Sequence, residues 1–101
     1  MSEIIRNGNQ TIIRPGVDIV ASMADEFKNE LLSAINALDG ELVLDLAGVE
    51  MVDSVGIGVI IATHNTLSQK GQSLKIINVI TDIFGLFSTM RLNRRFIVEE
   101  A

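Results

Sequence analysis

The sequence contains no cysteine, tyrosine or tryptophan, and it has a single histidine, His64. Without cysteine the chain can form no disulfide framework, no thiolate nucleophile and no cysteine-rich metal site. Its carboxylates have no spacing that would predictably bring two of them together, so acid–base catalysis by a carboxylate pair is poorly supported. We therefore expect no enzyme activity, no metal and no cofactor. We interpret His64 as a residue at the boundary of a helix.

Long apolar runs are also missing. Apolar residues make up 48% of the 101 residues, but no uninterrupted run approaches the roughly 18 residues that a membrane span needs. Residues 1–10 contain Glu3, Arg6 and polar turn residues instead of a charged start followed by an apolar segment, so we expect no secretory signal. These features predict a cytoplasmic protein without membrane insertion, consisting of one domain over residues 1–101.

The net charge of −5 results from 8 basic and 13 acidic residues, which argues against direct binding to nucleic acid. The charges are unevenly distributed. Acidic residues dominate between residues 18 and 53, where Lys28 is the one basic residue, whereas basic residues dominate between 70 and 95. This distribution has two interpretations: ordinary solvated faces, or an acidic surface that meets a basic partner surface.

A β-hairpin is predicted at the start of the chain. Asn7-Gly8-Asn9 lies between two runs rich in β-branched residues, and an Asn-Gly step accepts the positive φ that tight hairpin turns need. Pro15-Gly16 then ends the second strand, because proline cannot donate a hydrogen bond to a neighbouring strand. The two strands should be antiparallel.

The remaining pattern alternates between helices and strands. Apolar residues at helical spacing over residues 23–38 predict a first helix, with Ser22 as its N-cap and Gly40 closing it. The later elements are a buried strand over 41–46, a helix from 53–54 to about 70, a strand over 74–79, a helix from Thr81-Asp82 to about 90, and an edge strand over 96–98. The order β-β-α-β-α-β-α-β predicts an α/β fold with a mixed, mostly parallel β-sheet and helices packed on it.

The chain is organised around residues 42–61, LVLDLAGVEMVDSVGIGVII. Ser54 lies where the loop after a buried strand enters a helix, so its hydroxyl could cap that helix, and the helix end would tolerate added negative charge. Gly56 and Gly58 form a G-x-G step without the third glycine and downstream acid of a dinucleotide site. Alternatively, these glycines allow another backbone, from a neighbouring element or a partner chain, to approach the helix closely.

Residues 53–60, DSVGIGVI, together with the preceding LVLDL and VEMVD segments, resemble the signature of STAS domains, specifically of bacterial anti-sigma factor antagonists. The resemblance covers nearly the whole chain and implies a STAS-like single domain. It also implies that Ser54 is phosphorylated by a partner anti-sigma factor with serine-kinase activity and a histidine-kinase-like ATPase fold, and that phosphorylation switches binding off. The implied partner-binding residues are Asp53, Ser54, Val55, Gly56, Ile57 and Gly58, with Asp18 and Asp25 at the rim.

The chain departs from the family pattern at two places. Val55 follows the serine where a small or hydroxylated residue is common, and Arg91-Leu92 stands where the family usually has Gly-Leu. Other functions stay open beside the antagonist role. Ser54 could be an unmodified cap in a STAS scaffold subunit of a signalling or membrane-transport complex, and a nucleotide-binding sensor is a third, weaker hypothesis.

Overall fold

The structure, a computed structural model, describes residues 2–37 and 40–101 of the chain. In these residues the predicted order of strands and helices is confirmed. The elements are β1 (Glu3–Asn7), β2 (Gln10–Arg14), α1 (Ala24–Asn36), β3 (Glu41–Asp45), α2 (Ser54–Gln69), β4 (Leu74–Val79), α3 (Thr81–Thr89) and β5 (Ile97–Glu100). Short 3-10 turns over Ala21–Met23 and Leu92–Arg94 precede α1 and β5. The predicted end of the first helix at Leu38 and Asp39 lies outside the described residues.

The five strands form one mixed sheet in the order β1-β2-β3-β4-β5. The hairpin pair β1–β2 is antiparallel, and the three other neighbouring pairs are parallel. Because the strand order advances in one direction, right-handed crossovers place α1, α2 and α3 on the same face of the sheet. The central strand β3 is buried along most of its length, as the apolar run in its sequence predicts.

The N-terminal hairpin has the predicted tight turn. Asn7 pairs with Gln10, so Gly8 and Asn9 form a two-residue loop. Gly8 adopts a φ of 65°, a left-handed conformation that costs glycine little because it has no Cβ. Local turn chemistry therefore fixes the register of the first two strands.

The hydrophobic core lies between the sheet and the three helices. The helices bury stripes at helical spacing, and the strands contribute alternate side chains from the face beneath them. The most deeply buried large side chains include Phe27 and Leu31 of α1, Ile60 and Leu67 of α2, Phe87 of α3, and Ile13, Leu42, Leu44 and Ile76 of the sheet.

Three predicted boundaries were wrong. Ser22 is not the N-cap of α1: it lies inside a 3-10 turn, and the residue before the helix, Met23, forms no side-chain cap. Thr81 is the first residue of α3 instead of its cap, and its hydroxyl donates to Glu100 at 2.7 Å. The last strand begins at Ile97, because the N–H of Phe96 still donates to Leu92 O of the preceding turn, at 3.2 Å. For Thr81, a long-range hydrogen bond replaces the predicted capping role.

The buried carboxylate of the central strand, Asp45, is 2% exposed and fully hydrogen-bonded. Its Oδ2 accepts two bonds from the Arg14 guanidinium, at 3.0 and 2.8 Å, and its Oδ1 accepts one bond each from Ala47 N and Asn78 Nδ2, both at 2.9 Å. Burial raises the pKa of Asp45, but the bonds from Asn78, Ala47 and Arg14 outweigh it, so this pKa lies below its ordinary value. Asp45 thereby connects three strands and anchors the start of the loop that follows β3.

Candidate functional site

The loop after β3 is held in place by the segment that follows β2. Asp18 Oδ1 accepts hydrogen bonds from the backbone N–H groups of Glu50 and Met51, at 2.9 and 3.1 Å. Ile19 N donates to Met51 O at 3.0 Å, and Asp53 N donates to Ile19 O at 3.2 Å. These backbone and side-chain bonds fix the position from which α2 begins.

The N-cap of α2 is Asp53. Its Oδ1 accepts a bond from Gly56 N at 2.8 Å, and its Oδ2 accepts one from Ala21 N at 2.9 Å. The bonds from Gly56 and Ala21 hold the pKa of Asp53 below its ordinary value. Asp53 therefore serves as the cap of α2, and Ser54, whose hydroxyl the sequence suggested as a cap, does not.

Ser54 is the first residue of α2 and is exposed. Its hydroxyl forms no hydrogen bond to any residue in the described parts of the chain. The first bond within the helix is from Ile57 N to Asp53 O at 2.9 Å, so this serine lies at the helix end that carries a partial positive charge. The site thus presents a free nucleophilic oxygen where added negative charge is tolerated.

The two glycines near the start of α2 have different surroundings. A Cβ built on Gly56 would lie 2.2 Å from Ile19 O, which leaves no room for a side chain. A Cβ on Gly58 would have no atom within 4 Å outside its own helix. Packing inside the domain explains why position 56 is glycine, but it gives no reason for glycine at position 58.

Two grooves flank Ser54 and its neighbour Val55. The α2–α3 groove has a volume of about 260 Å³ and is lined by Val52, Asp53, Ser54, Ile57, Leu86 and Met90. The α1–α2 groove has a volume of about 370 Å³ and is lined by Ala24, Asp25, Lys28, Val55, Gly58, Val59 and Ala62. The large apolar side chains around them are substantially exposed: Val55 by 45%, Met90 by 44% and Leu86 by 37%.

The residues that the sequence predicts for partner binding occupy different depths. Ser54, Val55 and Gly58 are exposed on α2, and Asp25 is exposed on the facing helix α1. Gly56 and Ile57 are buried, and the carboxylates of Asp18 and Asp53 are engaged by backbone N–H groups. Val55, Gly58 and Asp25 line the same groove, and Ser54 directly precedes Val55.

The sequence-based prediction missed Leu86 and Met90 as residues beside Ser54, and Lys28 as a residue of the α1–α2 groove. Leu86 and Met90 belong to the α3 region, more than 30 residues away in sequence. The sequence nevertheless contained a signal for an exposed apolar surface on α3. This helix carries apolar residues beyond the buried pair Ile83 and Phe87, and a surface helix with one buried stripe does not need the additional ones.

His64 lies elsewhere and has a structural neighbour. Its ring is 5.2 Å from that of Phe96, at an angle of 50°. Within residues 2–37 and 40–101, no three His, Cys, Asp or Glu side chains are grouped in a way that could hold a metal ion. None of the helices in the same residues has the length and apolar character needed to cross a membrane.

The family model for the STAS domain matches residues 2–100. The chain belongs to the STAS domain family. Solved structures support the same fold. A candidate anti-sigma factor antagonist from Thermotoga maritima superimposes with a TM-score of 0.92 at 20% identity, covering 99% of this chain and 86% of that one. The resemblance to STAS domains and the STAS-like fold are therefore confirmed.

Two other structures show how widely this STAS fold is used. The anti-sigma factor antagonist SpoIIAA, solved in its unphosphorylated form, has a TM-score of 0.77 at 12% identity, covering 100% of this chain and 89% of SpoIIAA. A sulfate transporter family protein from Wolinella succinogenes has a TM-score of 0.81 at 15% identity, covering 95% of this chain and 80% of that one. A comparison of the sequence with curated proteins gives no significant match.

Proposed function

We propose that this STAS domain is an anti-sigma factor antagonist that is controlled by phosphorylation of Ser54. Unphosphorylated, it binds an anti-sigma factor that has serine-kinase activity and a histidine-kinase-like ATPase fold, and thereby releases a sigma factor for transcription. The phosphorylated form does not bind. The observation that carries the proposal is the exposed hydroxyl of Ser54 at the start of α2, between two partly apolar grooves, with no hydrogen-bond partner among residues 2–37 and 40–101. The domain acts in the bacterial cytoplasm.

Phosphorylation at this position is compatible with an intact fold. The Ser54 hydroxyl holds no structural bond in the described residues, and the cap of α2 is supplied by Asp53. A phosphate adds about −1.5 to −2 charge at a helix end that favours negative charge. The modification therefore changes the surface and leaves the helix in place.

The same phosphate is unfavourable inside an interface. A partner that covers Val55, Leu86 and Met90, all more than a third exposed, would also cover Ser54, which lines a groove with Leu86 and Met90. Burying a charged group without a matching cation is costly, and like charges placed face to face cost several kcal/mol. The physical basis of the switch is thus loss of the bound state, without unfolding of either protein.

The structural likeness to SpoIIAA supports this proposal, because that protein is an anti-sigma factor antagonist whose structure was solved in an unphosphorylated form. The candidate antagonist from Thermotoga maritima supports it as well.

The test uses every histidine-kinase-like ATPase of the source organism, each purified and titrated calorimetrically against the STAS domain with ADP. We expect one of them to bind the wild type and Ser54→Ala, and to bind Ser54→Asp at least about tenfold more weakly, as like-charge repulsion implies. With ATP, mass spectrometry should locate one phosphate on Ser54. The matched control is Ser68→Asp, which changes an exposed serine near the other end of α2. Equal binding by Ser54→Asp and wild type would refute the charge switch.

The second candidate function is an unmodified scaffold subunit of a membrane-transport complex. The likeness to the sulfate transporter family protein favours it. In that case Ser54 carries no phosphate in protein isolated from growing or stressed cells, and no ATPase of this class binds the domain. Intact-mass analysis of the native protein separates the two candidates.

A further inference from the structure

One side-chain oxygen connects the two segments that form the walls of the α2–α3 groove. Asp45 Oδ1 accepts hydrogen bonds from Ala47 N and from Asn78 Nδ2, both at 2.9 Å. Ala47 lies at the start of the loop that leads to Ser54, and Asn78 lies near the end of β4, just before α3. The chain therefore leaves β3 toward one wall, and leaves β4 toward the other, from a single shared acceptor.

Asn78 has a backbone conformation that is unfavourable for a residue with a side chain. Its φ is 58°, in the left-handed region, and it lies where the pairing of β4 with β5 shifts register, between Ile76 and Val79. Asparagine tolerates this conformation better than most residues, but glycine adopts it at less cost. Strain of this kind persists where the surrounding structure requires it. The requirement here is the bond from Asn78 to Asp45, which a glycine could not form.

The width of the α2–α3 groove depends on where these two segments place its walls. The wall that contains Ser54 follows the loop that Asp45 anchors, and the wall that contains Leu86 and Met90 follows Asn78. A helix moves as a rigid element, so a shift of the first turn of α3 is carried to both apolar side chains. Asp45 and Asn78 do not line this groove themselves. Their effect on it therefore passes through the elements that they join.

We propose that the hydrogen bond from Asn78 to Asp45 is a positioning contact for partner binding, which fixes α3 relative to the Ser54 loop and thereby sets the width of the α2–α3 groove. Neither residue touches the partner. This inference rests on the proposed function, in which the partner covers that groove, and it adds the residues that hold the two walls in place. An asparagine stands at position 78, despite the strain, because a glycine there would leave α3 free to shift.

Replacing Asn78 with glycine separates positioning from stability. Asn78→Gly removes the bond to Asp45 and also removes the cost of a positive φ. These two effects are of similar size, so Tm should stay within about 4 °C of the wild-type value. The affinity for the ATPase identified above should nevertheless fall by about tenfold, because coupling through intervening contacts reaches this size.

Arg91→Gly is the matched control for the backbone effect. Within residues 2–37 and 40–101, Arg91 is the one other non-glycine residue with a positive φ, at 61°, and its side chain forms no hydrogen bond or ion pair with any of those residues. Glycine at position 91 therefore relieves strain and removes no bond, so Tm should rise, by up to about 8 °C. A rise in Arg91→Gly without a change in Asn78→Gly shows that the lost bond to Asp45 offsets the relieved strain.

Asp45→Asn should give the opposite result. The oxygen of the new amide can still accept bonds from Ala47 N and Asn78 Nδ2, whereas its NH2 group cannot accept one from Arg14. Near neutral pH, Tm should therefore fall while the affinity for the ATPase stays within about twofold of the wild-type value. An affinity of Asp45→Asn as low as that of Asn78→Gly would contradict the role given to the bond from Asn78.

Two-dimensional proton–nitrogen NMR spectra of the domain alone provide a readout that needs no partner. The amide signals of Leu86 and Met90 should shift in Asn78→Gly and stay at their wild-type positions in Asp45→Asn. Unmoved signals in Asn78→Gly, or an affinity equal to that of the wild type, would overturn the positioning inference and leave the proposed function standing. If no histidine-kinase-like ATPase binds the wild type, the proposed function is wrong, and the role of this contact in binding is wrong with it.

Discussion

The sharpest prediction for the fold concerns Gly56. Replacing it with alanine introduces a Cβ that lies 2.2 Å from Ile19 O and 3.0 Å from Ile19 C in the present backbone. The obstacle is main chain, so a change of side-chain rotamer cannot relieve it. Either α2 moves outward or the segment at Ile19 gives up its pairing with the loop residues Met51 and Asp53.

The expected loss in the free energy of unfolding of Gly56→Ala is the sum of three contributions. Overpacking a well-filled site costs about 1–3 kcal/mol, and a rigid backbone obstacle places this case at the upper end. Loss of the backbone hydrogen bond accepted by Ile19 O adds about 1 kcal/mol, while the better helix propensity of alanine returns about 1 kcal/mol. The free energy of unfolding should therefore fall by about 3 kcal/mol, which corresponds to a Tm lowered by about 12–24 °C for a domain of this size.

Urea denaturation followed by circular dichroism measures this change. Gly58→Ala is the matched control, because it makes the same substitution two residues further along α2 in open space, and its free energy of unfolding should rise by about 1 kcal/mol. If Gly56→Ala is as stable as the wild type, the close approach of Ile19 to α2 is not what requires glycine there, and the reasoning about both glycines is refuted.

Three further predictions concern stability. Phe87→Ala, at a fully buried position, should lower the free energy of unfolding in urea by about 3–5 kcal/mol; a loss below about 1 kcal/mol would contradict the packing of α3. The wild type should be more stable than Asp45→Asn above about pH 4, because a lowered native pKa stabilises the fold only while the carboxylate is charged. Thermal melts across pH 2–7 should show that the stability advantage of the wild type shrinks as pH falls through the native pKa of Asp45. A stability advantage that does not change with pH would contradict this explanation. Ser54→Ala should leave Tm unchanged and Asp53→Ala should lower it, because the side chain of Asp53 caps α2; a larger loss of Tm in Ser54→Ala than in Asp53→Ala would contradict the capping assignment.

Much of the fold is predictable from the sequence because its signals act over short distances. The Gly8-Asn9 turn fixes the register of the first two strands, and the apolar stripe that contains Phe27 and Leu31 predicts α1. The glycine that follows α2, Gly71, has a φ of 68°, as expected for a residue that ends a helix. These features depend on neighbouring residues and on helical or strand periodicity.

Local sequence signals fail to identify the cap of a helix where tertiary contacts also act on the residues at the helix start. Two residues compete for the role of cap at α2, and Asp53 takes it because its carboxylate can satisfy Gly56 N and Ala21 N together. Ser22 resembles an N-cap, yet the chain there forms a 3-10 turn. A capping preference of about 1 kcal/mol is easily outweighed by tertiary contacts.

By itself, the sequence determined the order of the elements, the buried central strand and the place of Ser54 at the start of a helix, because periodicity, turn residues and the DSVGIGVI segment are all local. Only the tertiary structure decided which of two nearby glycines is required inside the domain, and that Leu86 lies beside Ser54 and Asp25 beside Gly58. These relations join residues more than 30 positions apart, and they arise from how the helices pack on the sheet.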